Sequence, residues 1–138
     1  MAFTPQIINQ DKTVHFSDFT FDFSPNPHTG DISILTNKAS VENSIRNLVK
    51  TKFGEVLFDS KVGCGLNFML FEPMDEITKY GIQQQIQITL SVYEPRVSLQ
   101  QIDLIEDKIN QGYFITIYYS IVNTQGIQSV KVFLERIR

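Results

Sequence analysis

Three observations predict an α+β fold. Residues 75–95 carry apolar side chains at helical spacing, the last third alternates apolar and polar residues in three runs, and short glycine-containing links separate those runs. Links that short make neighbouring strands antiparallel, so the runs predict a meander with helices packed on one side of it. At 138 residues the chain is one domain's worth, because a single core organises roughly 100 to 200 residues.

Residues 1–37 read as an extended arm with strand pieces, interrupted by Pro5, Pro25, Pro27 and Gly30. Within it Phe19, Phe21 and Phe23 alternate with Thr20 and Asp22, which places three rings on one face of a strand. That face packs on the domain's own sheet or docks on a partner, and the first is the reading we favour. The domain proper is predicted over 38–138. After Asn37 or Ser40, either able to cap a helix start, Val41, Ile45, Leu48 and Lys52 recur at helical spacing until Phe53-Gly54 stops the helix. Glu55 to Phe58 reads as a short strand and Gly63-Cys64-Gly65 as a tight connection. Leu66 to Phe71 reads as a helical turn ended by Pro73.

Asp75 is a good N-cap for the long helix, in which Ile82, Ile86, Leu90 and Tyr93 fall at i, i+4, i+8 and i+11. Gly81 and several β-branched residues weaken its intrinsic propensity, so tertiary packing must supply much of its stability. Pro95 ends it by removing an amide and restricting Glu94. Strands follow over Val97 to Ile105, Tyr113 to Val122 and Ile127 to Arg136. In the middle strand Ile115, Ile117, Tyr119 and Ile121 share a face, and in the last Val130, Val132 and Leu134 do. The first strand changes phase between Leu99 and Ile102, which predicts a bulge at Gln100 and Gln101.

Composition sets further bounds. Hydrophobic residues make up 42% and charged residues 20%, enough apolar surface to exclude a largely disordered chain. Twelve basic against fifteen acidic residues give a net charge of -3, without the cationic cluster that phosphate-backbone binding needs, so no nucleic-acid partner is expected. No run approaches the ~18 apolar residues of a membrane span and no signal pattern follows Met1, so no membrane role is expected. A lone Cys64 fits folding in a reducing cytoplasm.

Candidate chemistry is sparse. His15 and His28 lie in the arm, far in sequence from Cys64, and no metal-ligand spacing is present. Cys64 reads as a small buried side chain rather than a nucleophile, and Gly63-Cys64-Gly65 is too short for a phosphate-cradling loop. No cofactor, metal or catalytic residue is therefore expected. A glycosidase needs only two carboxylates about 5 to 9.5 Å apart across a cleft. Glu55, Asp59, Glu72 and Glu94 sit near turns or element ends and read as surface acids, leaving a hydrolase as the weaker alternative.

A family pattern emerges from Ser44-Ile45-Arg46-Asn47-Leu48-Val49-Lys50-Thr51-Lys52-Phe53-Gly54-Glu55, a helix ending in Thr-basic-x-Gly-Glu. It continues through Phe58-Asp59, Val62-Gly63-Cys64-Gly65-Leu66, Leu70-Phe71-Glu72-Pro73 and Tyr93-Glu94-Pro95-Arg96-Val97. From about Ile45 to the C-terminus the chain resembles the small baseplate wedge and sheath-initiator family of contractile phage tails, type VI secretion and related injection systems. One departure is Ser60, where the family often has proline after the position of Asp59; a looser connection is expected there.

The resemblance implies a non-enzymatic structural protein of a virion's tail baseplate, assembled in the host cytoplasm and present in six copies around the tube; members of the family are sometimes labelled lysozyme-like, which makes the alternative a peptidoglycan-degrading hydrolase. Implied partners are the helical core-bundle proteins of the wedge, the tail sheath protein and the tail tube. Glu94, Pro95 and Arg96 are implied to form the wedge interface, and Arg96 brings a planar, permanently charged fork suited to carboxylates or carbonyls. The residues alone leave a local Glu94–Arg96 surface pair equally open. The C-terminal strands, marked by Ile115, Ile117, Tyr119, Val130, Val132 and Leu134, are implied to template the sheath by accepting a neighbour's strand, while Lys131, Glu135 and Arg136 suppress premature pairing.

Overall fold

The structure is a computed structural model, and it describes residues 16–20, 22–122 and 124–136. These divide into two compact units, one ending at Ser40 and one beginning at Val41.

In the first unit β1 (Ser17–Phe19) pairs antiparallel with β2 (Ile34–Thr36). Farther along the same loop a bridge joins Pro25 to Ile32, and Gly30 N donates to Asn26 O at 2.8 Å across the turn. The expected three-ring strand face does not form as such. β1 ends at Phe19, Phe23 sits beyond it with φ 49 and is exposed, and Phe21 lies outside the described residues.

The shorter helix, α1 (Lys38–Lys50), begins directly after Asn37. Val41, Ile45 and Val49 are its buried apolar residues, so the stripe ends on Val49 rather than Leu48, and the helix stops before Lys52. The next segment differs from expectation. Glu55 to Phe58 form turns, not a strand, and the loop closes on itself instead, with Gly54 N donating to Ser60 O at 2.9 Å and Glu55 N to Lys52 O at 3.2 Å. Strand pairing needs a neighbouring edge, and this loop satisfies its polar groups locally.

Gly63 and Gly65 are required by close approach and backbone conformation together. At Gly63 (φ +116) a Cβ would stand 2.6 Å from Thr51 O, and at Gly65 (φ +57) it would stand 2.1 Å from the Phe53 ring. A single 3-10 turn, Met69–Phe71, follows with Leu70 buried. The long helix α2 (Glu76–Tyr93) starts as expected: Asp75 Oδ1 accepts from Thr78 N at 2.7 Å. Ile82, Ile86 and Leu90 are buried along one stripe.

The sheet is a meander in the order β3 (Val97–Asp107), β4 (Gly112–Ile121), β5 (Ile127–Glu135). Its register shifts between Leu99 and Gln101, where the bulge was expected. Alternate residues of β4 and β5, including Ile115, Ile117, Tyr119, Val130, Val132 and Leu134, are buried and form the core face. The outward row Ile105, Phe114, Phe133 crosses all three strands, with the two rings 4.7 Å apart. Polar links tie α2 to β3: Gln83 Nε2 donates to Ile102 O at 2.9 Å, and Lys79 pairs with Glu106 at 2.8 Å. Arg136, just past β5, donates through Nε to Leu70 O at 3.2 Å, at the 3-10 turn.

Candidate assembly site

Glu94, Pro95 and Arg96 form the corner between α2 and β3. The helix is carried one residue past its last regular position, since Glu94 N still donates to Leu90 O at 3.0 Å. Pro95 has no amide and cannot continue the helix. Val97 N then returns to Glu94 O at 3.1 Å, closing the turn, and Val122 N donates to Arg96 O at 2.9 Å, extending the β3–β4 pairing into the corner.

The side chains make more of this corner than a surface ion pair. Glu94 is 2% exposed, which corrects its reading as a surface acid. Its carboxylate accepts three donors: Arg96 Nε at 2.5 Å, Arg96 Nη2 at 2.9 Å, and the hydroxyl of Ser44 on α1. A carboxylate taken out of water is tolerated only when paired and hydrogen-bonded in this way. The two-pronged geometry also orients the guanidinium plane, as a point charge could not. Ser44 lies fifty positions away in sequence; it belongs to the family-like segment, but nothing in that segment singles it out as a partner of Glu94.

The other acids lie elsewhere. Glu55, Asp59 and Glu72 are exposed. One oxygen of Glu55 accepts from Lys52 N at 2.8 Å, and one of Asp59 from Lys61 N at 3.3 Å. Cys64 is buried, and desolvation pushes its thiol up to about 11, far from the depressed values of reactive cysteines. His28 lies in an exposed turn of the first unit, and His15 falls outside the described residues. Among the described residues no group of three His, Cys, Asp or Glu is placed to hold a metal, and no helix is long and apolar enough to cross a membrane.

The strand positions separate into two kinds. β4 is the central strand, paired on one side with β3 and on the other with β5. Strand addition requires unpaired main-chain groups, so the stretch Tyr113 to Val122 is not an open template, and Ile115, Ile117 and Tyr119 face inward. Val130, Val132 and Leu134 are also buried, yet they lie on β5, which among the described residues pairs only with β4. Of these two strands the edge one is β5, with Ile127, Ser129, Lys131 and Glu135 turned outward and exposed, and β3 is the other edge of the sheet.

Sequence and fold comparisons agree with one another. The family model for baseplate wedge protein gp25 matches residues 36–126. A curated relative, baseplate wedge protein gp25 of Enterobacteria phage T4, is 28% identical over 103 residues, covering 74% of this chain and 78% of the relative. The fold is similar to that of a Geobacter sulfurreducens protein given the provisional designation tail lysozyme, with TM-score 0.65 and 21% identity over 71% of this chain and 89% of that one. It is also similar to a chain of the anti-feeding prophage baseplate, with TM-score 0.63 and 20% identity over 89% and 87%. A chain of the pyocin R2 baseplate gives TM-score 0.52 and 16% identity over 81% and 96%. Since the matched segment takes in α1, the Glu94–Arg96 corner and most of the sheet, the chain belongs to the baseplate wedge protein gp25 family.

Proposed function

We propose that this baseplate wedge component of a contractile tail starts the sheath by accepting a strand on β5, while the Glu94-Pro95-Arg96 corner holds it to the wedge. The observation that carries the reading is the nine-residue margin of β5, paired on one side only among the described residues. An incoming strand gains main-chain hydrogen bonds there, and its alternate side chains select register. Lys131 and Glu135 turn charges outward along the same strand and discourage unguided pairing before assembly.

Adjacent amides of an edge strand point alternately toward and away from the partner strand. Proline at Gln128 and at Ser129, tested one at a time, will therefore be tolerated at only one of the two positions. The tolerated variant should melt like the parent yet give tails without sheath. A folded proline variant of this kind that still assembles sheathed tails would sink strand addition at β5.

The role is structural rather than catalytic in this reading. Glu94 is saturated by Arg96 and Ser44, and Glu55 and Asp59 each have one oxygen engaged by a backbone amide of their own loop. Purified protein should leave peptidoglycan intact. Turnover abolished by changing Glu55, Asp59, Glu72 or Glu94 singly, and not by changing other acids, would replace this reading with a hydrolase.

A further inference from the structure

From Tyr80 to Tyr93, α2 contains no charged residue. Its inner stripe of Ile82, Ile86 and Leu90 is buried, but a second row faces outward on the opposite side. Tyr80, Gln84, Ile88 and Val92 recur every four residues; Ile88 is 55% and Val92 63% exposed. A solvent-facing helix surface ordinarily carries charge. Rows spaced by four are the ridges that pack into the groove of a second helix.

Beside this row runs a groove of about 390 Å³ between Ile88, Val92 and Tyr93 on α2 and Phe53 on the loop. Its far wall is well held: Tyr93 OH donates to Lys61 O at 3.0 Å, Cys64 N to Thr51 O at 3.1 Å, and Gly65 fits against the Phe53 ring. Beyond Phe53 the loop carries Leu57, 81% exposed, and Phe58, fully exposed with φ 69. A bulky residue in the left-handed region is a strained one, and such strain collects at functional positions.

Charge narrows what fits. Among the described residues Lys61 is the one charged residue in the groove lining, which holds no acid to match it.

Resting on the wedge reading, we propose that the outer ridge of α2 and this groove seat an amphipathic helix of another baseplate subunit. That helix carries apolar residues at four-residue spacing and a carboxylate that meets Lys61. The groove continues to Tyr93, next to the Glu94 corner, so the seat and the corner make one continuous surface.

The test uses intact tails built with Val92→Cys, and separately Ile88→Cys, probed with a maleimide. Both positions are exposed, so the fold should be kept, and buried Cys64 contributes little background. Each new thiol should label readily in the purified chain and at least about twentyfold more slowly in tails, where packing excludes the reagent. Lys61→Glu should lower incorporation into tails about fivefold, the scale of one rim charge pair. Equal labelling in free chain and tails overturns the seat while leaving the wedge reading intact. Incorporation indifferent to Lys61→Glu overturns the acidic partner. Concentration-dependent protection in purified chain alone would assign the ridge to a second copy, against this proposal. Tails that assemble without the chain overturn the wedge reading, and this inference with it.

Discussion

Two stretches of the second unit invert the usual division between inside and outside. At 94–96 a carboxylate is taken into the interior, and at 53–58 Phe53, Val56, Leu57 and Phe58 are left in water. The first is stabilised by three donors brought from its own chain. The second has its backbone closed locally but its side chains uncovered. A buried charge with all its partners present is a finished piece of architecture. Exposed apolar side chains on a well-held backbone are the kind of surface we propose a partner covers. The contrast divides the labour: the corner sets the geometry of the surface, and the loop and the outer face of α2 supply what a partner would cover.

The largest effect should come from breaking the corner. Arg96→Ala leaves the Glu94 carboxylate buried without its principal donor and should cost about 3 to 5 kcal/mol in urea unfolding. Converting both residues together, Glu94→Met with Arg96→Met, should recover most of that loss, because no charge is then stranded. If the double variant also keeps its place in the wedge, the corner acts through stability alone and the interface lies elsewhere.

Next in size is the backing of the loop. Gly65→Ala forces a Cβ against the Phe53 ring in a left-handed backbone and should cost about 2 to 3 kcal/mol. In a Phe53→Ala background the same change should cost only the backbone part, about 1 kcal/mol. An unchanged penalty would mean that the ring yields freely and does not hold the groove wall.

Phe58→Gly should act in opposite directions on the two properties. Relief of the left-handed strain outweighs the added chain entropy, so stability should stay level or rise by up to about 1 kcal/mol. Incorporation into tails should fall, because the ring is lost from the apolar surface. A variant that folds and assembles as well as the parent would remove Phe58 from the interface.

The smallest effect is a pH slope at Cys64, which lies between the two stretches in sequence. Burial raises its thiol from 9.0 to about 11, so the unfolded chain ionises first. The contribution is fully present below pH 9 and is lost as pH rises toward 11. Between pH 9 and pH 11 the urea midpoint of the parent should fall faster than that of Cys64→Ala. Parallel curves would indicate that the thiol is not desolvated.

Much of the scaffold could be read from neighbouring residues. The stripe Ile82, Ile86, Leu90 came from i, i+4 spacing, the cap at Asp75 from residue type, and the bulge from a change of phase beside Gln100. Each is governed by interactions within a few positions. The predicted strand at Glu55 to Phe58 failed because four residues of suitable composition say nothing about whether a partner edge lies beside them. The corner was legible as a motif, Glu94-Pro95-Arg96, but not as a buried charge, because the third donor is on α1.

Local order along this chain thus follows from periodicity, capping and the two backbone extremes, proline and glycine, all of which act over one or two turns. Three other features depend on groups far apart in sequence meeting in space: the burial of Glu94 beneath Ser44, the central place of β4, and the outward exposure of the Ile88–Val92 ridge beside Phe53. Solvent exclusion and strand order are properties of the folded arrangement as a whole, and no short window of sequence carries them.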